Sequence, residues 1–189
     1  MKLLEEKIIK EGKVLPGNIL KVGSFLNQQI DTELLREIGM EISRLYDGCG
    51  VTKILTIESS GIAVAVAAGI IMNVPVIFAK KHQSSNVDSS VYTASAHSYT
   101  HNIDYNMVIS RDYLTSDDHI LLVDDFLAVG NALHGLISLV EQAGATLVGA
   151  AIEIEKAFQG GGDKLRAQGI RVESLAMIDR MTDTEVIFR

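Results

Sequence analysis

The chain has 189 residues, of which 47% are hydrophobic, and its formal net charge is −7. This length fits one domain with a real core, and the apolar content excludes a disordered chain. The acidic balance disfavours non-specific nucleic-acid binding, which needs a basic face. The single cysteine, Cys49, excludes an internal disulfide framework and a cysteine-based zinc cluster, and it fits a reducing cytoplasm.

Residues 1–47 contain two amphipathic helical stretches that flank an irregular segment, VLPGNILKVGSFLNQQI. We expect this region to form a small hood on the core of a single domain that spans residues 1–189. The first residues, MKLL, run directly into charged residues, so the sequence predicts no signal peptide.

A strand–helix–strand unit follows the hood. We predict strands at residues 53–57 and 74–79 and a helix at residues 62–72. The apolar run at 61–79 imitates a membrane span, but Pro75 and the β-branched residues around it favour a buried helix followed by a buried strand. We therefore expect no association with a membrane.

Polar residues follow both of these strands. Ser59 and Ser60 occupy a turn that opens the helix, where hydroxyls and backbone N–H groups can bind an anion; the alternative is an ordinary N-cap serine. Lys80 and Lys81 follow the second strand and could neutralise a phosphate group, although most surface lysines are only solvated.

The stretch from residue 80 to residue 106 is long and polar. Connections of this length are usually functional or mobile, and we expect a flexible flap within the core that closes over a substrate and excludes water. Its histidines are interpreted as solvated polar residues, and the sequence predicts no metal site built from protein ligands.

The second half of the chain continues the alternation of strands and helices. Strands are predicted at residues 107–110, 120–123, 147–154, 172–178 and 185–188, and a helix at 132–142 is closed by Gly144. The alternation predicts an α/β fold, a mostly parallel sheet flanked by helices, with ligands beyond the carboxyl ends of the strands.

The segment ILLVDDFLAVGNA, residues 120–132, carries the strongest functional signal. A buried strand ends at Asp124 and Asp125, and a turn around Gly130 then opens a helix. Such a turn binds phosphate through backbone amides, and the carboxylates could accept hydrogen bonds from sugar hydroxyls or hold Mg²⁺ through its waters. The pattern indicates a phosphorylated sugar; the alternative is a strand–turn–helix whose aspartates only solvate a sheet edge.

This segment resembles the phosphoribosyl pyrophosphate signature of the type I phosphoribosyltransferases. Together with VLPGNILKVGSFLNQQID, TIESSGIAVA and IEIEKAFQGG it resembles the bacterial xanthine phosphoribosyltransferases, in order and over nearly the full length. The resemblance implies a cytosolic, homodimeric purine-salvage enzyme that converts xanthine and phosphoribosyl pyrophosphate to xanthosine 5′-monophosphate and pyrophosphate. It also implies Mg²⁺, bound mainly through the pyrophosphate donor.

The resemblance assigns roles to individual residues. Asp124 and Asp125 would be catalytic and hold the ribose, while Ser59, Ser60, Lys80 and Lys81 would bind the pyrophosphate. The donor's 5′-phosphate would bind to Ala128, Val129, Gly130, Asn131 and Ala132. Leu20, Asn27 and Lys156 would contact xanthine.

Two features bear on the purine. Charged Lys156 only donates hydrogen bonds, which favours a 6-oxo purine over adenine, and Phe158 could stack on the base; by itself, a lysine here could simply mark a strand end. Ala128 stands where the hypoxanthine–guanine branch has an acidic residue that assists proton removal from the purine. The sequence therefore leaves open which group accepts the proton from the purine.

Two rival functions are considered. The first is a non-enzymatic regulator that senses phosphoribosyl pyrophosphate and binds nucleic acid, but residues 1–47 hold seven basic and eight acidic residues and leave no room for a winged helix. The second is a phosphoribosyltransferase for guanine or hypoxanthine, which differs from a xanthine enzyme in recognition at position 2 of the base.

Overall fold

The structure is a computed structural model that describes residues 1–82, 90–98, 103–182 and 184–189. Its strands are β1 (Lys13–Leu15), β2 (Ile19–Lys21), β3 (Lys53–Ile57), β4 (Val76–His82), β5 (Val91–Ser98), β6 (Ile103–Ser110), β7 (His119–Leu127), β8 (Thr146–Lys156), β9 (Val172–Met181) and β10 (Val186–Phe188). Its α-helices are α1 (Lys2–Glu11), α2 (Thr32–Leu45), α3 (Gly61–Met72), α4 (Asn131–Ala143) and α5 (Gly161–Ala167). A π-helical turn spans Gly23–Asn27, and a 3₁₀ turn spans Ala157–Gln159.

An eight-stranded sheet with the order β10-β9-β8-β7-β3-β4-β6-β5 forms the centre of the molecule. The inner strands β9, β8, β7, β3 and β4 run parallel, whereas β10, β6 and β5 pair antiparallel at the two edges. This confirms the predicted α/β fold with a mostly parallel sheet. The carboxyl ends of β3, β7 and β8 therefore meet along one edge of the sheet, where ligands bind in open α/β folds.

Helices cover both faces of this sheet because its central strands are apolar on both sides. Leu121 and Val123 of β7 belong to a core cluster under the hood and α3, while Ile120 and Leu122 belong to a second cluster under α4 and α5. Successive side chains of a strand point to opposite faces, so one apolar strand supplies both clusters.

The local signals for individual elements were largely correct. The Asp31 carboxylate accepts a hydrogen bond from the amide of Leu34 and so caps α2. Gly144, at φ 68°, ends α4 in the left-handed conformation, as predicted. The apolar run at 61–79 is divided between α3 and β4, and none of the described helices has the length and hydropathy of a membrane span.

The hood contains more regular structure than its sequence indicated. Its irregular segment includes a hairpin, β1–β2, whose turn uses positive φ angles at Gly17 and Asn18. Leu4 of α1 and Ile38 of α2 are fully buried in the cluster that packs against the sheet. This shared core supports our proposal that residues 1–47 are part of a single domain.

The stretch at residues 80–106, predicted to form a flexible flap, contains strands that the sequence analysis did not predict. There, β4 continues to His82, β5 spans Val91–Ser98, and β6 begins at Ile103. The signal was missed because β5 faces α4 with Tyr92 and small Ala94, which are weakly apolar. Residues 83–89 and 99–102 lie outside the described residues, and closure of a flap there stays a prediction.

Candidate active site

A cleft of about 470 Å³ opens at the carboxyl ends of β7 and β8. Residues 126–133 form its floor, and residues 17–19 of the hood hairpin form the opposite wall. Tyr105, Lys156 and Gln159 complete its lining. The cleft thus brings together the predicted phosphate-binding segment and the predicted purine-binding lysine, which are far apart in the sequence.

Residues 128–132, called the phosphate turn below, join β7 to the start of α4. Gly130 has φ 97°, a conformation that only glycine adopts readily, and α4 begins at the next residue. The N-terminus of a 13-residue helix therefore opens into the cleft, where backbone amides and the helix dipole favour an anion. Ala128, Val129 and Ala132 have no hydroxyl, so the backbone must supply most of the donors.

Asp124 and Asp125 lie within β7, because the strand continues to Leu127 instead of ending at residue 123. Asp124 is 4% exposed, and its Oδ1 accepts a hydrogen bond from the amide of Asp125 at 3.0 Å. Burial, reinforced by the neighbouring charge of Asp125, raises the pKa of Asp124 well above its ordinary value. The adjacent carboxylates are therefore held close together in a site that disfavours two negative charges.

A third carboxyl group, Glu153, was missed by the sequence reasoning. It lies on β8 next to β7, is 2% exposed, and its Oε1 has no hydrogen-bond partner among the described atoms. Burial and the charges of Asp125 and Asp124 raise its pKa well above the ordinary value. The available signal was a charged residue inside the apolar strand segment AAIEIEK.

Ser59 and Ser60 form the turn between β3 and α3, at the same edge of the sheet. Ser60 precedes α3 but makes no side-chain cap hydrogen bond, so the simple N-cap interpretation does not hold. Glu58 Oε1 accepts a hydrogen bond from the amide of Lys81 at 2.6 Å, which ties this turn to β4. The two serines therefore lie beside the strand that carries the predicted lysines.

Lys80 and Lys81 lie on opposite faces of β4, as neighbours in a strand must. The Lys81 ammonium lies 5.4 Å from the ring centre of Tyr105, a residue that lines the cleft, and it lowers the pKa of Asp124 slightly against the larger effect of burial. Lys80 instead lines a separate apolar groove with Phe78. The structure groups only Lys81 with the carboxylates.

The predicted xanthine contacts have different surroundings. Lys156 Nζ donates a hydrogen bond to the carbonyl oxygen of Asn18 at 2.8 Å, and desolvation lowers its pKa. Leu20 is 7% exposed and is not among the cleft-lining residues, although Ile19 before it is. Asn27 is exposed at the end of the π-helical turn and is not among the cleft-lining residues.

The aromatic ring beside Lys156 is that of Phe126, not that of Phe158, which the sequence had suggested as a stacking surface. The Lys156 ammonium lies 5.7 Å from the Phe126 ring centre, and Phe126 lines the cleft. Phe158 is partly exposed on the 3₁₀ turn. The difference arises because β7 extends past its acids, which brings residue 126 to the end of β8.

Comparison with known families places these features in context. Residues 22–180 match the model of the phosphoribosyl transferase domain, and the chain belongs to the phosphoribosyltransferase family. It is 51% identical over 188 residues to the xanthine phosphoribosyltransferase of Limosilactobacillus reuteri strain DSM 20016, a match that covers 100% of this chain and 98% of that protein. It is 52% identical over 189 residues to the xanthine phosphoribosyltransferase of Pseudomonas savastanoi pv. phaseolicola, and all of both chains is covered.

Solved structures with the same fold include two adenine phosphoribosyltransferases. The enzyme from Giardia lamblia complexed with 9-deazaadenine superposes with a TM-score of 0.78 at 18% identity, covering 94% of this chain and 98% of that one. The enzyme from Trypanosoma brucei, in complex with AMP, pyrophosphate and ribose-5-phosphate, gives 0.76 at 20% identity, covering 92% and 79%. At these identities the likeness establishes the type I phosphoribosyltransferase fold.

Proposed function

We propose that this protein is a purine-salvage enzyme that transfers ribose 5-phosphate from phosphoribosyl pyrophosphate to xanthine. The products are xanthosine 5′-monophosphate and pyrophosphate. The observation that carries this proposal is the placement of the phosphate turn and the ammonium of Lys156 in one cleft. Full-length relatives with about half of their residues identical are named xanthine phosphoribosyltransferases, which supports xanthine as the base.

The donor is bound in three parts along the carboxyl edge of the sheet. Its 5′-phosphate lies in the phosphate turn, where the amides at the start of α4 donate hydrogen bonds. Its ribose hydroxyls donate to the carboxylates of Asp124 and Asp125. Its pyrophosphate lies toward Ser59, Ser60 and Lys81, and the ammonium attracts the negative charge that grows as this group leaves.

The reaction exchanges one bond at C1′ of the ribose for another. A nitrogen of xanthine that has lost its proton to water forms the new bond, the bond to pyrophosphate breaks with its electron pair, and positive charge develops on the ribose. The carboxylate of Asp125 lies beside that charge and stabilises it electrostatically. The hood excludes water, which would otherwise capture the ribose.

Mg²⁺ fits this arrangement as an ion carried by the donor. The described residues contain no group of three or more histidine, cysteine or acidic side chains placed to hold a metal. Carboxylate and phosphate oxygens with several waters suit Mg²⁺, and Asp124 and Asp125 are the acids at hand. When bound, the ion neutralises charge on the leaving pyrophosphate.

Xanthine lies between the hood and the end of β8. Lys156 donates a hydrogen bond to the oxygen at position 6. The amino group that adenine carries at this position could not accept that hydrogen bond. Leu20 supplies an apolar wall, and the amide of Asn27 supplies a donor and an acceptor for the dioxopurine edge. Asn27 reaches the base only if the π-helical turn of the hood moves toward the cleft when the base binds.

We further propose a cytoplasmic homodimer that forms through the exposed apolar surface of α3 and β4. Ile70 is 73% exposed on α3, and Phe78 is 40% exposed on β4. Val76 lines both the groove that contains Phe78 and the groove that contains Ile70, so the two exposed apolar areas form one surface. An apolar patch of this kind usually marks an interface. Ile70→Glu should convert the dimer to a monomer in light scattering, and an unchanged mass would contradict this assignment.

One assay tests the function. Xanthine, guanine, hypoxanthine and adenine compete for a fixed concentration of phosphoribosyl pyrophosphate with Mg²⁺, and the nucleotide products are separated and quantified. We expect xanthosine 5′-monophosphate to dominate. A preference for guanine or hypoxanthine would overturn the base assignment but keep the reaction, whereas donor binding without any product would favour a sensing protein.

A further inference from the structure

An ion pair between a buried glutamate and a partly exposed arginine lies at the end of β8, next to the cleft-lining Lys156. Glu155 of β8 is 0% exposed, and Arg166 of α5 donates to both of its oxygens, at 3.0 Å and 2.6 Å. The hydroxyl of Ser174 on β9 also donates to Glu155 Oε2. Arg166 Nε donates to the carbonyl oxygen of Val172 at 3.1 Å. The pair therefore fixes the short helix α5 to the ends of two strands.

The glycines at the start of α5 lie between this ion pair and the phosphate turn. A methyl group on Gly162 would stand 2.1 Å from Glu155 Oε1. A methyl group on Gly161 would stand 2.3 Å from the carbonyl oxygen of Ala128 and 2.6 Å from the carbonyl carbon of Val129. The Gly161 amide donates to that Ala128 oxygen at 3.1 Å. Only glycines allow α5 to contact both neighbours this closely.

We propose that Glu155 and Arg166 are positioning residues that hold the phosphate turn in its binding geometry through Gly161. The inference rests on the proposed function, in which this turn binds the donor's 5′-phosphate. Neither side chain lines the cleft, and Glu155 is fully buried, so their effect passes through the backbone. A seven-residue helix has little stability of its own, so its position depends on tertiary contacts, which are this ion pair and the buried side chain of Leu165.

The chemistry makes the position of the turn important. Ala128 and Val129 offer no hydroxyl, so the phosphate is bound by amides whose directions are set by the backbone alone. A displacement of about 1 Å in a group that positions a substrate can cost about a hundredfold in rate. Weakening the contact between Gly161 and the phosphate turn should therefore weaken donor binding more than binding of the base, whose proposed contacts are the hood and Lys156 at the end of β8.

The test compares Glu155→Gln, Arg166→Met and Gly161→Ala with the unaltered enzyme. KM is measured separately for phosphoribosyl pyrophosphate and xanthine, and donor binding is measured by calorimetry without a purine. We expect each change to raise the donor KM and Kd about tenfold and to leave the xanthine KM within about twofold. The double variant Glu155→Gln/Arg166→Met should be no worse than the poorer single variant, because both act through one contact.

Two matched variants control for general damage. Arg171→Met removes another partly exposed arginine, which pairs with Glu173 and lies 4.4 Å from the ring centre of Tyr46. Gly39→Ala adds a methyl group 2.8 Å from the backbone of Ala67, where α2 crosses α3. We expect both control variants to affect only the melting temperature, which they should lower. The ratio of the KM for phosphoribosyl pyrophosphate to the KM for xanthine should stay unchanged.

The outcomes separate this inference from the function on which it rests. Equal increases in both KM values, or the same shift in the controls, would overturn the positioning role. If Arg166→Met does not fold, Glu155→Gln still decides, because it weakens the same ion pair while keeping the size of the side chain. If the unaltered protein binds the donor but makes no nucleotide from xanthine, the proposed function fails. The donor Kd of the variants still tests whether Glu155 and Arg166 position the phosphate turn.

Discussion

Asp124 and Gly61 lie against each other at the carboxyl edge of the sheet. A methyl group on Gly61 would stand 2.8 Å from Asp124 Oδ1 and 2.2 Å from the hydroxyl of Thr56. Gly61 is the first residue of α3, so the absence of a side chain lets this helix begin directly on the buried carboxylate. The turn at Ser59 and Ser60 and the acids of β7 are thus in one site.

This contact predicts that Gly61→Ala displaces Asp124 and lowers kcat about tenfold or more, because small displacements of positioning groups are costly. The matched control is Gly69→Ala on the same helix, where the new methyl group would meet the side chain of Val76 at 2.5 Å, away from the acids. The control should lower the melting temperature and keep kcat. Equal kcat values for the two variants would show that the contact has no catalytic consequence.

Asp125→Ala should lower kcat about a hundredfold, the usual effect of removing one group that stabilises transition-state charge. The fold should persist, because the charge of Asp125 raises the pKa values of Asp124 and Glu153 and its removal relieves repulsion. Turnover and melting temperature are measured beside Asp117→Ala, an exposed aspartate. Near-normal turnover in Asp125→Ala would refute the assigned role.

Lys156→Gln should raise the KM for xanthine roughly tenfold to a hundredfold, as expected for the loss of a charged hydrogen-bond donor. The donor KM should change little, because the phosphate turn is untouched. Lys164→Gln, an exposed lysine of α5, is the control. The same variants are then tested with adenine. If Lys156→Gln leaves the ratio of the KM for xanthine to the KM for adenine unchanged, Lys156 does not recognise the group at position 6.

Glu153→Gln should change how stability depends on pH. The pKa of Glu153 is higher in the folded chain than in the unfolded one, so the folded chain binds more protons above the ordinary glutamate value of about 4.3. Its contribution to the unfolding free energy is therefore fully present below that value and is lost as pH rises through the raised pKa.

Glutamine cannot ionise, so the variant should gain stability relative to the unaltered protein as pH rises. Urea unfolding at about pH 5 and about pH 8 measures the difference, which should be larger at the higher pH. Glu141→Gln on the exposed side of α4 is the control. Parallel stability curves for Glu153→Gln and the unaltered chain would contradict a raised pKa for Glu153.

Much of the fold could be predicted because its signals are local. The strand at Lys53–Ile57 was predicted to the residue, and the end of α4 followed from Gly144 alone. The edge strand β5 was missed, since its weakly apolar residues become a strand only through pairing with β6 and contact with α4. There the amide of Gln142 donates to the carbonyl oxygen of Thr93 at 2.9 Å.

The residues of the candidate site also divide into those that the sequence could identify and those that it could not. The phosphate turn and Asp124–Asp125 could be found from sequence because strand, acids, glycine and helix are contiguous. Glu153 and Phe126 could not be assigned, because their importance comes from the pairing of β7 with β8. Lys80 and Lys81 are adjacent in sequence, but the pleat of β4 directs only Lys81 toward the carboxylates.

The sequence by itself determined the α/β alternation, the anion-binding turn and the acids before it, since each depends on neighbouring residues and on backbone geometry. Only the tertiary structure decided which charges share a buried environment and which helix supports the turn. Those relations join strands and helices that are distant in the chain, and packing, not local propensity, sets the distances between them.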